Sequence, residues 1–150
     1  PAASGAPRRY APSMPPPSAP VEVTHVLAIL ACDDVARAKA FYVGAFGWRT
    51  TVDLPVYVEL DVPTGLRVGL YQRAGFARNT GEPVAPRPPI GTTAAELYLR
   101  VADVPTAFAR LVEVGGRPLS PPAARPWGDE AAYVADPDGN VVAVARPPAR

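Results

Sequence analysis

The feature that most constrains this chain is a repeat inside it. Asp34 stands thirteen residues before Gly47, and Asp103 stands thirteen residues before Gly116. Each interval opens with a helix-capping aspartate, continues with apolar residues at helical spacing and stops at glycine. The apolar positions are Val35, Ala38, Tyr42 and Ala45 in the first, and Val104, Ala107, Phe108 and Leu111 in the second. Pro105 falls in the first turn of its helix, where a missing N–H is tolerated. A β-branched or apolar strand precedes each interval, Thr24 to Ala31 and Ala95 to Val101. Behind them, Val62-Pro63-Thr64-Gly65 stands to Gly69 as Asp136-Pro137-Asp138-Gly139 stands to Ala143. Further strands are predicted at Trp48 to Leu54, Tyr57 to Asp61, Leu66 to Tyr71, Glu130 to Ala135 and Val141 to Arg146. The whole reads as an α+β fold of two tandem β-α-β-β-β modules.

Proline locates what lies outside the repeat. Of 21 prolines in 150 residues, seven fall in the first 20 positions and seven more in the runs 83–89 and 118–122. Residues 1–20 therefore read as a polyproline-like arm with too few large apolar residues to bury, and Met14 within it is a candidate start. The domain is expected over 21–150, with module one at about 23–72, module two at about 94–146, and a linker at 72–93. The stretch from Gln72 to Thr92 is expected to be an unpacked loop.

Composition also excludes partners. Fifteen Lys plus Arg against fourteen Asp plus Glu leave a net charge of +1, with the arginines scattered, so nucleic acid is not expected. No run of 18 apolar residues is present, so no membrane partner is expected either. The first residues lack the charged-then-apolar pattern of a signal peptide, and one cysteine makes no internal disulfide. A cytoplasmic location is the expectation.

Side chains alternate across a strand, so each strand presents two rows. Val26, Ala28 and Leu30, Leu97, Leu99 and Val101, and Val68 and Leu70 form apolar rows that should pack on the helices. The opposite rows carry His25, Arg67, Tyr71, Glu96, Tyr98 and Arg100 among Leu27, Ile29 and Gly69. A sheet that curls would gather these polar groups into a ligand cleft; the competing reading is a row facing water. Tyr71, Tyr98 and Trp127 offer flat surfaces for a planar ligand, whereas Tyr57 and Trp48 read as core or interface aromatics. Cys32 belongs to the helix-facing row by parity and reads as a small buried hydrophobe.

Thr24-His25-Val26, the Asp-capped helix with Phe41-Tyr42 and Gly47-Trp48, Pro126-Trp127-Gly128 and Asp136-Pro137-Asp138-Gly139-Asn140 together resemble the vicinal oxygen chelate superfamily, the glyoxalase, bleomycin-resistance and dioxygenase group. The resemblance spans about residues 23 to 146. It implies eight strands in a curved, barrel-like mixed sheet with helices outside, and a homodimer that builds or completes the clefts. It places metal-ligand positions at His25, Gly69, Glu96 and Ala143. Gly69 and Ala143 carry no donor, and two remaining donors make a poor site for a metal that ordinarily takes three or more. Hence no cofactor is expected, with a divalent metal at His25 and Glu96 as the alternative.

Three functions follow from these residues. The first is a small-molecule binding protein of the bleomycin-resistance type, its ligand held by His25, Arg67, Tyr71, Glu96, Tyr98, Arg100 and Trp127. The second is a metal-assisted glyoxalase-like lyase or dioxygenase. In the third, His25 and Glu96 are a metal-free acid–base pair, Glu96 acting as base if burial raises its pKa. A salt bridge from Glu96 to Arg67 or Arg100 is the structural alternative.

Overall fold

The computed structural model describes residues 23–24, 27–84, 93 and 95–148. The proline-rich arm, His25, Val26 and residues 85–92 lie outside that set.

Each repeat folds as a four-stranded mixed sheet backed by a helix. Module one contains β1 (Ala28–Cys32), α1 (Val35–Phe46), β2 (Arg49–Leu54), β3 (Tyr57–Asp61), β4 (Arg67–Gln72) and α2 (Arg73–Thr80). Module two contains β5 (Glu96–Arg100), α3 (Val104–Glu113), β6 (Arg117–Ala124), β7 (Glu130–Ala135) and β8 (Val141–Arg146). The strand orders are β1-β4-β3-β2 and β5-β8-β7-β6, with the first pair of each parallel and the others antiparallel. The eight strands of the expected barrel-like arrangement form two four-stranded mixed sheets among the described residues.

The duplication is visible in individual hydrogen bonds. Asp34 accepts from the Arg37 N–H and Asp103 from the Thr106 N–H, each capping its helix. In the hairpins, Gly65 N donates to Val62 O and Gly139 N to Asp136 O, both at 3.0 Å. Those two glycines have φ of 86° and 88°, a left-handed conformation that favours glycine.

The described members of the apolar rows pack as expected. Val68, Leu70, Val142 and Val144 are fully buried with Ala38, Phe41, Tyr42, Val104 and Leu111 from the helices, so one core serves both modules. Polar ties fix the modules to each other. The Tyr42 hydroxyl donates to Asp136 Oδ2 at 2.8 Å, and Asp136 also accepts from the backbone N–H groups of Asp138 and Asn140. Burial and this carboxylate push the Tyr42 pKa well above its ordinary value. Trp48 is in the core, stacked on Phe46 and Tyr42. Cys32 is buried as parity predicts, its pKa pushed up to about 12 first by burial and then by Asp138.

Two elements differ from the sequence reading. Residues 73–80, expected as loop, form α2, whose Gly75 lies so close to Tyr71 that an added Cβ would be 2.6 Å from the ring. The proline run 118–122 lies within β6. Among the described strands its sole partner is β7, so the missing N–H groups of Pro118, Pro121 and Pro122 fall on an edge strand interrupted by two register shifts. Of the expected first strand, Leu27 lies outside β1, which spans Ala28–Cys32, and His25 and Val26 lie outside the described residues.

Candidate functional site

Three of the residues singled out in the sequence meet in module two. Tyr98 and Arg100 point from the same side of β5, and both bond Asp129, which precedes β7. The Tyr98 hydroxyl donates to Asp129 Oδ2 at 2.6 Å, and Arg100 Nη1 lies 2.8 Å from the same oxygen. The indole N–H of Trp127 donates to the Tyr98 hydroxyl at 3.3 Å. Arg100, and then Tyr98, hold the Asp129 carboxyl below its usual pKa. Desolvation, followed by the Asp129 hydrogen bond, raises that of Tyr98. Asp129 is buried, whereas Trp127 remains 59% exposed in this hydrogen-bonded position.

Asp129 was not identified from sequence, although the offset between repeats points to its segment. Gly47 to Val62 is fifteen residues and Gly116 to Asp136 is twenty, so module two carries five extra residues here. They contribute to a turn in which Arg125 N donates to Asp129 O and Gly128 N to Arg125 O. Gly128 adopts φ of 101°, and the turn returns the chain with Trp127 and Asp129 over β5.

Next to this cluster the same sheet forms a depression of about 390 Å3, lined by Thr93, Ala95, Glu96, Leu119, Ser120, Tyr133 and Val141. Glu96 is exposed there and makes none of the ion pairs expected of it: Arg67 pairs with Glu59, and Arg100 with Asp129. Arg125 lies over the Tyr133 ring, 4.9 Å from its centroid, with Nη2 donating to Ser120 Oγ and Ala131 O.

Arg67 and Tyr71 form a separate group on module one. Arg67 Nη1 lies 2.7 Å from Glu59 Oε2, and the Tyr57 hydroxyl donates to Glu59 Oε1 at 2.7 Å. The Tyr71 ring meets Tyr57 and Phe76 edge-on. Tyr57, expected in the core or an interface, thus belongs to this polar face. Burial and then Glu59 push its pKa up to about 12. The single cleft expected from the sequence is resolved into two groups on two sheets. No described hydrogen bond, ion pair or ring contact joins them.

The register also corrects an equivalence. Ile29 pairs with Gly69 and Tyr98 with Ala143, so the position two residues earlier is Leu27 in module one and Glu96 in module two. The count agrees: Leu27 and Glu96 each precede their capping aspartate by seven residues, whereas His25 precedes its own by nine. His25 itself lies outside the described residues. A Cβ added at Gly69 would be 2.8 Å from Leu27 Cδ1, 3.1 Å from Ile29 Cγ1 and 3.2 Å from Tyr57 Cε2. Ala143 is fully buried and lacks a donor. The four equivalent positions thus offer one carboxylate among apolar atoms, a set that does not fit a catalytic metal. No cluster of three or more His, Cys, Asp or Glu is found among the described residues.

Two β-α-β-β-β modules, each with a polar row on the sheet face opposite its helix, define the class of fold. The chain belongs to the Glyoxalase/Bleomycin resistance protein/Dioxygenase superfamily, whose sequence model matches residues 22–144. Among solved structures it is similar to a glyoxalase-related enzyme from Fulvimarina pelagi, at 26% identity and TM-score 0.73 over 81% of this chain and 86% of that one. It is also similar to TioX from Micromonospora sp. ML1, at 26% identity and TM-score 0.58 over 83% and 98%. A superfamily member from Sphaerobacter thermophilus has 25% identity and TM-score 0.63 over 83% and 97%. No curated protein matches. No described helix is long and apolar enough to cross a membrane.

Proposed function

We propose that the protein binds a small planar ligand on the polar face of module two, with the superfamily's metal site lost. The observation that carries this reading is Trp127: a large aromatic surface exposed to solvent yet oriented by a hydrogen bond to Tyr98. Such a surface is suited to stacking, with Tyr98 and Tyr133 on the same face and Glu96 and Arg100 supplying polar contacts. Binding needs no reacting metal in this reading. A homodimer, in which a second copy covers the open faces, accords with the exposure of Ile29 and Leu119.

The test begins with protein purified without chelator. Native mass spectrometry is expected to find no stoichiometric metal and to detect a co-purifying or added planar ligand. Tryptophan fluorescence should respond to that ligand, and Trp127→Phe should remove the response while buried Trp48 still reports an intact fold. Stoichiometric metal lost on His25→Ala would overturn the reading. Sedimentation across a concentration series tests the dimer.

A further inference from the structure

The repeat also interprets a groove on the other, helix-bearing side of module one. In module two α3 packs on all three of β6, β7 and β8, but in module one α1 packs chiefly on β4 and β3. Between α1 and the tip of the β2–β3 hairpin lies a groove of about 780 Å3, lined by Val35, Lys39, Val43, Asp53, Leu54 and Val58 among others. That volume is within the range of small-molecule sites.

Counting from the caps explains why space is left here. Lys39 is the fifth residue after Asp34, and Phe108 is the fifth after Asp103. Phe108 is partly buried and packs against the core. Lys39 instead extends to the hairpin, where Nζ lies 2.5 Å from Asp53 Oδ2. Module one therefore lacks a phenyl ring that its sister supplies from within. At the corresponding helix position it has a lysine beside an apolar groove that carries one cation and one anion. Their side chains are 32% and 59% exposed, so both are open to exchange with a ligand.

We propose that this groove binds a free aromatic α-amino acid. Its ring occupies the apolar groove, its carboxylate pairs with Lys39 and its ammonium pairs with Asp53. The zwitterion replaces one ion pair by two, so no charge is left without a partner as the ring displaces water. A carboxylic acid without the amine would separate Lys39 from Asp53 and leave the aspartate unpaired; an amine without the carboxylate would do the converse. This site is independent of the ligand proposed for module two.

The experiment titrates L-phenylalanine, 3-phenylpropionate and phenethylamine into the full chain, followed by amide NMR and calorimetry. L-Phenylalanine is expected to shift the amides of Lys39, Val43, Leu54 and Val58, and to bind roughly tenfold more tightly than either analogue. Lys39→Phe, which places the sister residue in the groove, should abolish binding with the amide spectrum otherwise preserved. Asp53→Asn should weaken binding roughly tenfold and remove the preference for phenylalanine over phenylpropionate; it decides the matter should Lys39→Phe not fold. Trp127→Phe should leave phenylalanine binding unchanged. The proposal is overturned by absence of shifts in the groove at millimolar phenylalanine, by equal binding of the three compounds, by binding that survives Lys39→Phe in folded protein, or by its loss in Trp127→Phe.

Discussion

The two modules are built from the same scaffold and present different faces. Their capping aspartates, hairpin glycines and strand pairings correspond, whereas the residues on the polar sides diverge. Each side has a tyrosine, a carboxylate and an arginine, assembled in different ways. In module one Tyr57, Glu59 and Arg67 come from adjacent antiparallel strands, beside the apolar contacts around Gly69. In module two the carboxylate comes from the lengthened turn, which also brings an exposed tryptophan. Positions that fix backbone geometry thus persist across the repeat, and the polar face is altered by changing a connection.

The largest expected effect tests how far the scaffold is shared. Leu111 and Tyr42 occupy the same place after their caps, and both are fully buried. Leu111→Ala should destabilise the protein by about 2–5 kcal/mol, read by urea unfolding, because it opens a cavity in the common core. Tyr42→Phe should cost about 1–3 kcal/mol by removing a buried donor from Asp136. Two separate unfolding transitions in either variant would show that the modules do not share a cooperative core.

Removing the helix caps provides a more even comparison. Asp34→Ala and Asp103→Ala should each cost about 1 kcal/mol. The second should be somewhat worse, because Asp103 also accepts from the Thr106 hydroxyl. A negligible effect in one module alone would break the equivalence.

The smallest effects are those of pH. Burial, and then the hydrogen bond to Glu59, favour the neutral phenol of Tyr57, so that stabilisation is complete below the ordinary tyrosine pKa, about 10, and is lost as pH rises toward about 12. Phenolate absorbance should therefore show Tyr57 titrating late, and Tyr57→Phe should remove that step. Asp129 behaves in the opposite sense. Its stabilisation is present above the usual carboxylate range and is lost as pH falls through its depressed value, a loss that Asp129→Asn should remove from the acid limb.

The scaffold was legible because its signals are local. An aspartate cap, a stopping glycine and an Asp-Pro-Asp-Gly turn act within a few residues, and β7 and β8 have the expected boundaries. The differences come from tertiary context. α2 has Gln72 at its N-cap with no side-chain capping bond, and its Gly75 lies against Tyr71. β6 contains prolines that would exclude it from the middle of a sheet but not from an edge. The candidate site was legible in part: Tyr98, Arg100 and Trp127 converge, but their shared partner Asp129 depends on how the longer turn folds. Equating His25 with Glu96 followed residue type; the strand register equates Leu27 with it instead.

The prolines of β6 also bear on solubility. An outer strand ordinarily displays amide donors to which another chain can add by backbone pairing. Pro118, Pro121 and Pro122 leave this strand with fewer donors to offer, and its register shifts disturb the regular spacing that a growing cross-β stack requires. The rim of module two is consequently a poor template for fibril growth.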